Sequence, residues 1–231
     1  MNVSVCMATH NGARFVRQQI DSILTQLEAQ DELVISDDRS TDGLLAILAT
    51  YGDPRIKLLP PRHFNNPTRN FEYALTHSKG DLIFLADQDD VWRSEKINMM
   101  KEKLKLADLV VCDCRLTNER METIYPSFFT MNSSRPGLIK NLFKNSYMGC
   151  CMAFRKPVLD KALPFPDAIP IHDLWIGLVA ERYFRVAFLP QILVDHRRHV
   201  SNFSSTGGES KNSLFKKMAL RFQLTKKLLT C

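Results

Sequence analysis

Short apolar runs alternate with segments of helical spacing through the first half of the chain, and this alternation restricts the possible folds most strongly. The apolar runs predict buried strands, because each ends at turn-forming or polar residues. Between them, apolar residues recur every three or four positions, as in Val16, Ile20 and Ile23, which predicts amphipathic helices. Strands that alternate with helices form a mainly parallel, Rossmann-like α/β sheet with helices on both faces. The four predicted strands are Val3–Ala8, Leu33–Ile35, Arg55–Leu59 and Leu82–Ala86.

The second half of the chain is less regular, and we expect a sheet of mixed strand direction there. Asp173–Arg182 has helical spacing, and Ser201–Ser213 is rich in Ser, Gly and Asn, which predicts a mobile segment. No internal repeat or low-complexity linker interrupts this part, so it extends the same domain. Its predicted strands are Leu109–Cys112, Met148–Phe154, Val186–Leu189 and Ile192–Val194.

Polar clusters follow three of the predicted strands at the point where each strand ends. In open parallel sheets ligands bind beyond the carboxyl ends of the strands, so these clusters predict a site. Several carboxylates in one cluster repel one another and favour a bound cation, and oxygen ligands suit Mg²⁺ or Mn²⁺ shared with substrate phosphates. The alternative is a solvated acidic turn that caps the following helix, and the acidic run alone fits both. The clusters are Thr9-His10-Asn11, Asp37-Asp38-Arg39-Ser40 and Asp87-Gln88-Asp89-Asp90.

The net charge of +6 is confined to one end of the chain. Residues 210–231 contain six basic residues and no acid, so the preceding residues are balanced in charge. A neutral body with a basic tail is poor support for nucleic acid as a partner. The six cysteines do not follow zinc-binding spacings, and we expect buried thiols in a reducing compartment. Without a signal-peptide pattern or a membrane-spanning apolar run, the sequence predicts a cytoplasmic protein.

The order of the motifs resembles that of the family-2 glycosyltransferases of GT-A fold. Thr-His-Asn-Gly from Thr9, Asp-Asp-Arg-Ser-Thr-Asp-Gly from Asp37 and Leu-Ala-Asp-Gln-Asp-Asp-Val-Trp from Leu85 carry the resemblance. Later motifs resemble the bacterial rhamnosyltransferase-like subgroup that builds surface polysaccharides. The resemblance covers roughly residues 1–205, and its later motifs are Gly149–Phe154, His172–Trp175 and His196–His199.

The resemblance implies a domain organisation. Residues 1–209 form a single GT-A domain, in which 1–107 are the nucleotide-sugar-binding half and 108–209 the mixed acceptor half. Residues 210–231 form a basic amphipathic C-terminal tail with Leu214, Met218, Phe222 and Leu229 at rough helical spacing. Such a tail either lies on an anionic membrane surface or packs on its own domain or a partner, and the sequence favours neither.

The resemblance also implies roles for single residues. Asp173 matches the catalytic base, although His172 precedes it where many members have Glu. Asp89 matches the principal metal ligand with Asp87 as its helper, while Asp90 is structural. Nucleotide-sugar contacts are implied for Thr9, Asn11, Asp37, Asp38 and Asp87; Arg39 stands where the family commonly has Gly.

Four further candidates have an ordinary structural alternative. His199 either completes the metal site or is a surface histidine, with equal weight for each. Arg197 is a candidate phosphate clamp, although exposed arginines are common. Trp175 and His172 are predicted on the acceptor side because they lie beside Asp173, although a tryptophan more often fills a core.

These observations predict an inverting glycosyltransferase that uses Mn²⁺ or Mg²⁺ and a nucleotide-diphosphate sugar, either dTDP-rhamnose or a UDP-hexose. The acceptor is the hydroxyl of a glycan or lipid-linked sugar in bacterial surface polysaccharide synthesis, which places the enzyme at the inner face of the plasma membrane. The alternatives are a catalytically silent nucleotide-sugar-binding or scaffold protein and, less well supported, a nucleotidyltransferase. The latter usually needs a glycine-rich phosphate loop, and Thr9–Gly12 is poor in glycine.

Overall fold

The computed structural model describes residues 1–167, 169, 171–199 and 214–230, the last of these ranges with side chains from residue 221 onward. The predicted mobile segment Ser201–Ser213 and the predicted boundary between residues 209 and 210 lie outside the described residues.

The first half of the chain forms four parallel strands, as the apolar runs predict. Strand β1 lies between β2 and β4, and β3 pairs with the outer side of β2. The register sets Thr9 opposite Asp37 and Ala8 opposite Asp87, so the three polar clusters come to one edge of the sheet. The strands are β1 (Val3–Thr9), β2 (Glu32–Asp37), β3 (Ile56–Leu58) and β4 (Leu82–Asp87).

The helices of this half cover the sheet with their apolar faces. Val16, Ile20 and Ile23 are fully buried, as their spacing predicts. The helix that begins at Pro67 is capped by Asn66, whose side chain accepts hydrogen bonds from the Thr68 and Arg69 amides. The helices are α1 (Val16–Leu24), α2 (Leu44–Ala49), α3 (Pro67–Thr76) and α4 (Lys96–Lys103).

The second half extends the same sheet with strands of mixed direction, in the order β3-β2-β1-β4-β8-β6-β9-β5. Strand β8 runs antiparallel to both β4 and β6, whereas β6 and β9 are parallel. The strands are β5 (Val91–Trp92), β6 (Leu109–Thr117), β7 (Thr123–Tyr125), β8 (Met152–Arg155) and β9 (Val186–Arg197). The helices are α5 (Phe128–Asn132), α6 (Leu138–Phe143), α7 (Lys156–Ala162), α8 (His172–Tyr183) and α9 (Leu214–Thr230).

Two predicted elements differ from those observed. The two short strands predicted between Val186 and Val194 are one strand, β9, interrupted by a bulge. The register against β6 jumps from Leu189 to Ile192, so Pro190, which has no N–H to donate, stays out of the ladder. The strand predicted from Met148 starts only at Met152, because Gly149–Cys151 form a 3₁₀ turn.

Helix α9 packs on its own domain, which is one of the two arrangements considered for the tail. Leu224 and Leu228 are buried, and the Tyr183 hydroxyl of α8 donates a hydrogen bond to the Leu228 carbonyl. Arg221 donates to the backbone carbonyls of Leu142 and Phe143 at the end of α6. None of the helices within the described ranges is long and apolar enough to cross a membrane.

Five of the six cysteines are described, and all five are buried free thiols, as predicted. Four of them, Cys112, Cys114, Cys150 and Cys151, lie on the neighbouring elements β6 and the turn before β8. The core beneath the polar strand ends is therefore rich in sulfur.

Candidate active site

The ends of β1 and β2 are joined by the buried carboxylate of Asp37. Its Oδ1 accepts hydrogen bonds from the hydroxyls of Thr9 (2.8 Å) and Ser40 (2.6 Å), and its Oδ2 accepts from the Ser40 amide (2.8 Å). Both Asp37 and Thr9 are almost completely buried. Asp37 and Thr9 thus hold the two loops after β1 and β2 together. Their predicted contacts with a nucleotide stay predictions.

Asn11 and Asp38 join further loops at this edge in the same way. Asn11, in the left-handed region with φ 47°, receives the Thr41 amide on its Oδ1 at 2.8 Å, and its own amide donates to Ser40. Asp38 receives the Phe64 amide at 2.7 Å and so fixes the loop after β3. Carboxylate and amide side chains that receive backbone N–H groups shape such a surface. Nucleotide contacts for both residues remain predictions.

Gln88, the residue between the two predicted metal-binding acids, ties the acidic run to the loop after β1. The His10 amide donates to Gln88 Oε1 at 3.0 Å, and Gln88 Nε2 donates to the His10 carbonyl at 2.9 Å. A Cβ at position 12 would overlap this amide, so a larger residue there would force the Gln88 side chain to move. We define the Gln88 clamp as Gln88, His10 and Gly12. Sequence reasoning missed it, because a side chain that imitates a backbone pairing partner leaves no spacing pattern.

The acidic run brings three carboxylates to the end of β4. Burial, and then repulsion by Asp90 and Asp89, raises the pKa of Asp87 to about 8. Asp89 Oδ2 lies 2.7 Å from His199 Nε2, so the predicted metal ligands Asp89 and His199 do meet. This carboxylate–imidazole pair suits a divalent cation such as Mn²⁺ or Mg²⁺, whose charge would relieve the repulsion. The ligand atom of Asp87 lies instead with those of Asp90, Cys150 and His196, so its predicted place in the same metal site stays a prediction.

Asp90 differs from its neighbours because it is completely buried and paired. Its Oδ1 accepts a hydrogen bond from the Arg197 amide at 3.0 Å and lies 2.9 Å from His196 Nδ1. Burial opposes ionisation of both side chains, yet the Asp90 charge raises the pKa of His196 and the His196 charge lowers that of Asp90. This ion pair fastens the end of β9 to the acidic run, in agreement with the structural role predicted for Asp90.

Asp173 lies in the first turn of α8 and is buried next to the 3₁₀ turn. Its Oδ2 accepts a hydrogen bond from the Gly149 amide at 3.1 Å, and its Oδ1 accepts from the Leu174 amide at 2.5 Å. Burial raises the pKa of Asp173 to about 7, although these two N–H groups favour the anion. A carboxylate with that pKa is suited to accept a proton near neutral pH. Asp173 is also close enough to Asp87 to contribute to the raised pKa there.

His172, the residue before Asp173, is a buried imidazole stacked on Phe71 at 4.1 Å between ring centroids. Burial lowers its pKa to about 3, so the ring is neutral. Neither ring nitrogen has a hydrogen-bond partner within the described residues. A neutral imidazole with two unused nitrogens is suited to a ligand hydroxyl, which is compatible with the predicted acceptor contact but does not test it.

Trp175 does not belong to the acceptor side, and this prediction is wrong. The ring is 1% exposed and its Nε1 donates to the Ala162 carbonyl of α7 at 2.9 Å. Successive residues of an α-helix are rotated by about 100°, so residues two apart point to nearly opposite sides. Asp173 faces the 3₁₀ turn, and Trp175 consequently faces α7 and fills the core.

Arg197 lies beneath the loop that follows β1 instead of projecting into solvent. Its guanidinium stacks on Phe15 at 4.5 Å and donates to Gln18 Oε1 at 2.5 Å. A phosphate-clamp role for this residue remains a prediction. The sequence reasoning overlooked three other arginines, Arg14, Arg120 and Arg198. They line a cavity of about 620 Å³ that also contains His199.

Comparison with known proteins gives these features a context. Glycosyl transferase family 2 matches residues 4–163 of the chain. A relative from Escherichia coli, the UDP-Glc:alpha-D-GlcNAc-diphosphoundecaprenol beta-1,3-glucosyltransferase WfgD, is 25% identical over 88% of this chain and 79% of its own length. The dTDP-rhamnosyl transferase RfbG of Shigella flexneri is 35% identical over 39% of this chain and 34% of its own length.

A solved structure shares the fold over nearly the whole chain. The mannosyltransferase PcManGT from Pyrobaculum calidifontis, in complex with GDP-Man and Mn²⁺, superposes with a TM-score of 0.67 at 18% identity, covering 99% of this chain and 64% of that one. The chain thus spans less than two thirds of that neighbour. The likeness confirms the predicted GT-A α/β fold.

Proposed function

The chain belongs to glycosyl transferase family 2, and from that membership we propose that it is an inverting, metal-dependent glycosyltransferase that uses a nucleotide-diphosphate sugar. The observation that carries the proposal is that a cluster of metal-ligating side chains and a separate buried carboxylate lie close together. The crowded carboxylates Asp87 and Asp89 are there with His199, and Asp173, with a pKa raised to about 7, lies close to them. A scaffold protein that only binds a nucleotide sugar does not need a proton acceptor such as Asp173.

In this proposal Asp173 is the general base. Its carboxylate takes the proton of the acceptor hydroxyl while that oxygen forms a bond to the anomeric carbon of the donor. The bond between this carbon and the diphosphate oxygen breaks on the opposite face, so the configuration inverts. The backbone amides of Gly149 and Leu174 hold the carboxylate in place, which makes its geometry independent of mobile side chains.

The diphosphate leaving group requires a positive partner. Asp87, Asp89 and His199 would hold Mn²⁺ or Mg²⁺, which when bound neutralises the charge that develops on the diphosphate. The Mn²⁺ named in the PcManGT complex supports a divalent ion for this fold. We include Arg14, Arg120 and Arg198 as candidates for the phosphate side of the donor, because their cavity adjoins His199.

The relatives guide the choice of substrates. WfgD is named for UDP-glucose and a lipid-linked diphosphate acceptor, and RfbG for a dTDP-rhamnosyl donor. We therefore propose a UDP-hexose or dTDP-rhamnose as the donor and a lipid-linked or glycan hydroxyl as the acceptor, in the synthesis of a bacterial surface polysaccharide. A panel of nucleotide sugars, each incubated with Mn²⁺ and a lipid-linked diphosphate sugar, tests this. Release of nucleoside diphosphate together with a glycosylated acceptor supports the proposal. Pyrophosphate release in a parallel incubation with a nucleoside triphosphate and a sugar 1-phosphate would instead indicate a nucleotidyltransferase.

A lipid-linked acceptor would make contact with the inner face of the plasma membrane useful, and α9 is suited to it. Its buried leucines face the domain, while Phe222 and Leu229 are 73% and 61% exposed next to Lys226 and Lys227. Apolar side chains beside lysines favour an anionic lipid surface.

Flotation with anionic vesicles tests the membrane contact. The double variant Phe222→Ser, Leu229→Ser should lose vesicle binding and keep its fold, because both side chains are exposed. Leu106→Ser, at a residue that is 73% exposed on another element, is the matched control and should bind as the unmodified chain does. Equal flotation of the double variant and the control would exclude α9 as the contact.

A further inference from the structure

A second group of metal-ligating side chains lies directly behind the proposed catalytic metal site. Asp87, Asp90, Cys150 and His196 each place one ligand atom so that all four atoms lie within 4.8 Å of one another. We call these four residues the thiol cluster. From their geometry we propose that the thiol cluster is an inhibitory binding site for a soft divalent cation, Zn²⁺ above all. This site is different from the one formed by Asp87, Asp89 and His199.

Two distances within the thiol cluster approach those of a tetrahedral zinc site. His196 Nδ1 lies 2.9 Å from Asp90 Oδ1 and 3.7 Å from Cys150 Sγ. Tetrahedral zinc with bonds of about 2.0 Å to nitrogen and oxygen and about 2.3 Å to sulfur separates the same atoms by about 3.3 Å and 3.5 Å. These two separations would therefore have to change by only a few tenths of an ångström when the ion binds.

One carboxylate oxygen of the thiol cluster is buried and unused. Asp90 Oδ2 has no hydrogen-bond partner within the described part of the chain, and its side chain is completely buried. Buried polar groups in native proteins normally have partners, so this unused oxygen points to a ligand. Asp87, the one member of the thiol cluster that is only partly buried, lies at the end of β4.

The charges also balance when zinc is bound. Two carboxylates and one thiolate around Zn²⁺ leave one negative charge. Lys96 is completely buried beside them, and its ammonium donates a hydrogen bond to the Cys150 carbonyl at 2.6 Å. In its protonated form Lys96 would compensate this excess negative charge. Zinc would displace the proton of the Cys150 thiol, the proton between His196 and Asp90 and, where Asp87 is protonated, the proton of that carboxyl; all of these protons pass to solvent.

The ligand types decide which ion the thiol cluster selects. A thiolate and an imidazole beside carboxylates favour zinc over Mg²⁺ and Mn²⁺, which prefer oxygen ligands. Because Asp87 belongs to both sites, zinc in the thiol cluster would withdraw a ligand from the catalytic ion and stop transfer. Only this inhibitory consequence rests on the proposed function, whereas zinc binding itself does not.

Cobalt reports on the site without any assay of activity. Co²⁺ titrated into the metal-free full chain should produce a near-ultraviolet thiolate-to-cobalt absorption band that saturates at one equivalent, and Zn²⁺ should abolish it. Cys150→Ser and Cys150→Ala should lose the band and bind Zn²⁺ at least about a hundredfold more weakly, because even partners outside the ligand shell change affinity by 10–100-fold. Asp89→Asn and the distant control Cys6→Ser should keep it.

The outcomes separate the two proposals. Absence of a thiolate band in the unmodified chain, or an unchanged band in both Cys150 variants, would overturn the zinc site and leave the proposed function intact. If the chain is active, Zn²⁺ should inhibit Mn²⁺-supported transfer by the unmodified enzyme and not by Cys150→Ser. Equal inhibition of both would refute the inhibitory role of the thiol cluster.

Discussion

The Gln88 clamp offers a prediction whose size follows from the structure. Replacing Gln88 by Ala removes the two hydrogen bonds that its amide exchanges with the His10 backbone. Each neutral hydrogen bond contributes a net ~0.5–1.5 kcal/mol, and since His10 is exposed, water replaces part of the loss. We expect the free energy of unfolding to fall by about 1–2 kcal/mol. For a domain of this size that lowers the melting temperature by about 2–8 °C.

The glycine of the clamp supplies a matched second perturbation. A Cβ at position 12 overlaps the Gln88 amide, so Gly12→Ala expels that side chain and breaks the same two bonds. The two single variants should lose similar stability, and the double variant should lose little more than either. Either substitution alone already breaks the hydrogen bonds between Gln88 and the His10 backbone, so the second one has nothing further to break. The coupling energy between the two substitutions should therefore be about 1–2 kcal/mol.

Urea unfolding of the unmodified chain, the two single variants and the double variant measures this coupling energy. Calorimetry of nucleotide binding measures the effect on function. Both single variants should bind a nucleoside diphosphate more weakly, because the loop after β1 is no longer fixed to the acidic run. Gln30→Ala, at an exposed glutamine bonded only within its own loop, is the control and should stay within ~0.5 kcal/mol of the unmodified chain. Additive losses in the double variant would show that Gly12 and Gln88 act separately and refute the clamp.

Three further predictions concern the acidic residues and His172. Because Asp173 must be ionised to accept a proton and burial raises its pKa to about 7, kcat/KM should rise with pH through about 7 and then level off, which a pH–rate profile measures. Asp90→Asn breaks a buried ion pair and should cost about 3–5 kcal/mol in urea unfolding. Asp89→Asn should abolish transfer and cost less stability than Asp90→Asn, because it also removes the repulsion between Asp89 and Asp87. His172→Phe preserves the apolar stack on Phe71 and should leave the melting temperature nearly unchanged while raising the acceptor KM; an unchanged KM would remove His172 from the acceptor side.

The parallel half of the fold was predictable because its signals are local. Val3–Thr9 and Leu82–Asp87 are buried along almost their whole length, and such strands appear in the sequence as continuous apolar runs. The two-residue strand Val91–Trp92 has no such signal, since a strand of that length shows no periodicity. The bulge at Pro190 depends on pairing with β6, which the sequence of β9 alone does not specify.

The site was predictable in its position more than in its contacts. Strand-end placement brought the acidic run and the loops after β1 and β2 together, as expected. The task of each side chain depended on partners distant in the sequence. Asp90 and His196 are 106 positions apart and form a buried pair that no spacing rule anticipates. Trp175 was placed wrongly because nearness in sequence was taken for nearness in space, although helix geometry turns it away from Asp173.

The most direct test of the central claim separates donor binding from chemistry in Asp173→Asn. We expect this variant to bind the nucleoside diphosphate with Mn²⁺ as the unmodified chain does, because Asp173 is not among the proposed metal ligands. Sugar transfer to the acceptor should fall by at least about a hundredfold, the lower bound of what a positioned base contributes. Transfer by Asp173→Asn at the rate of the unmodified enzyme, measured with the same donor and acceptor, would contradict the account.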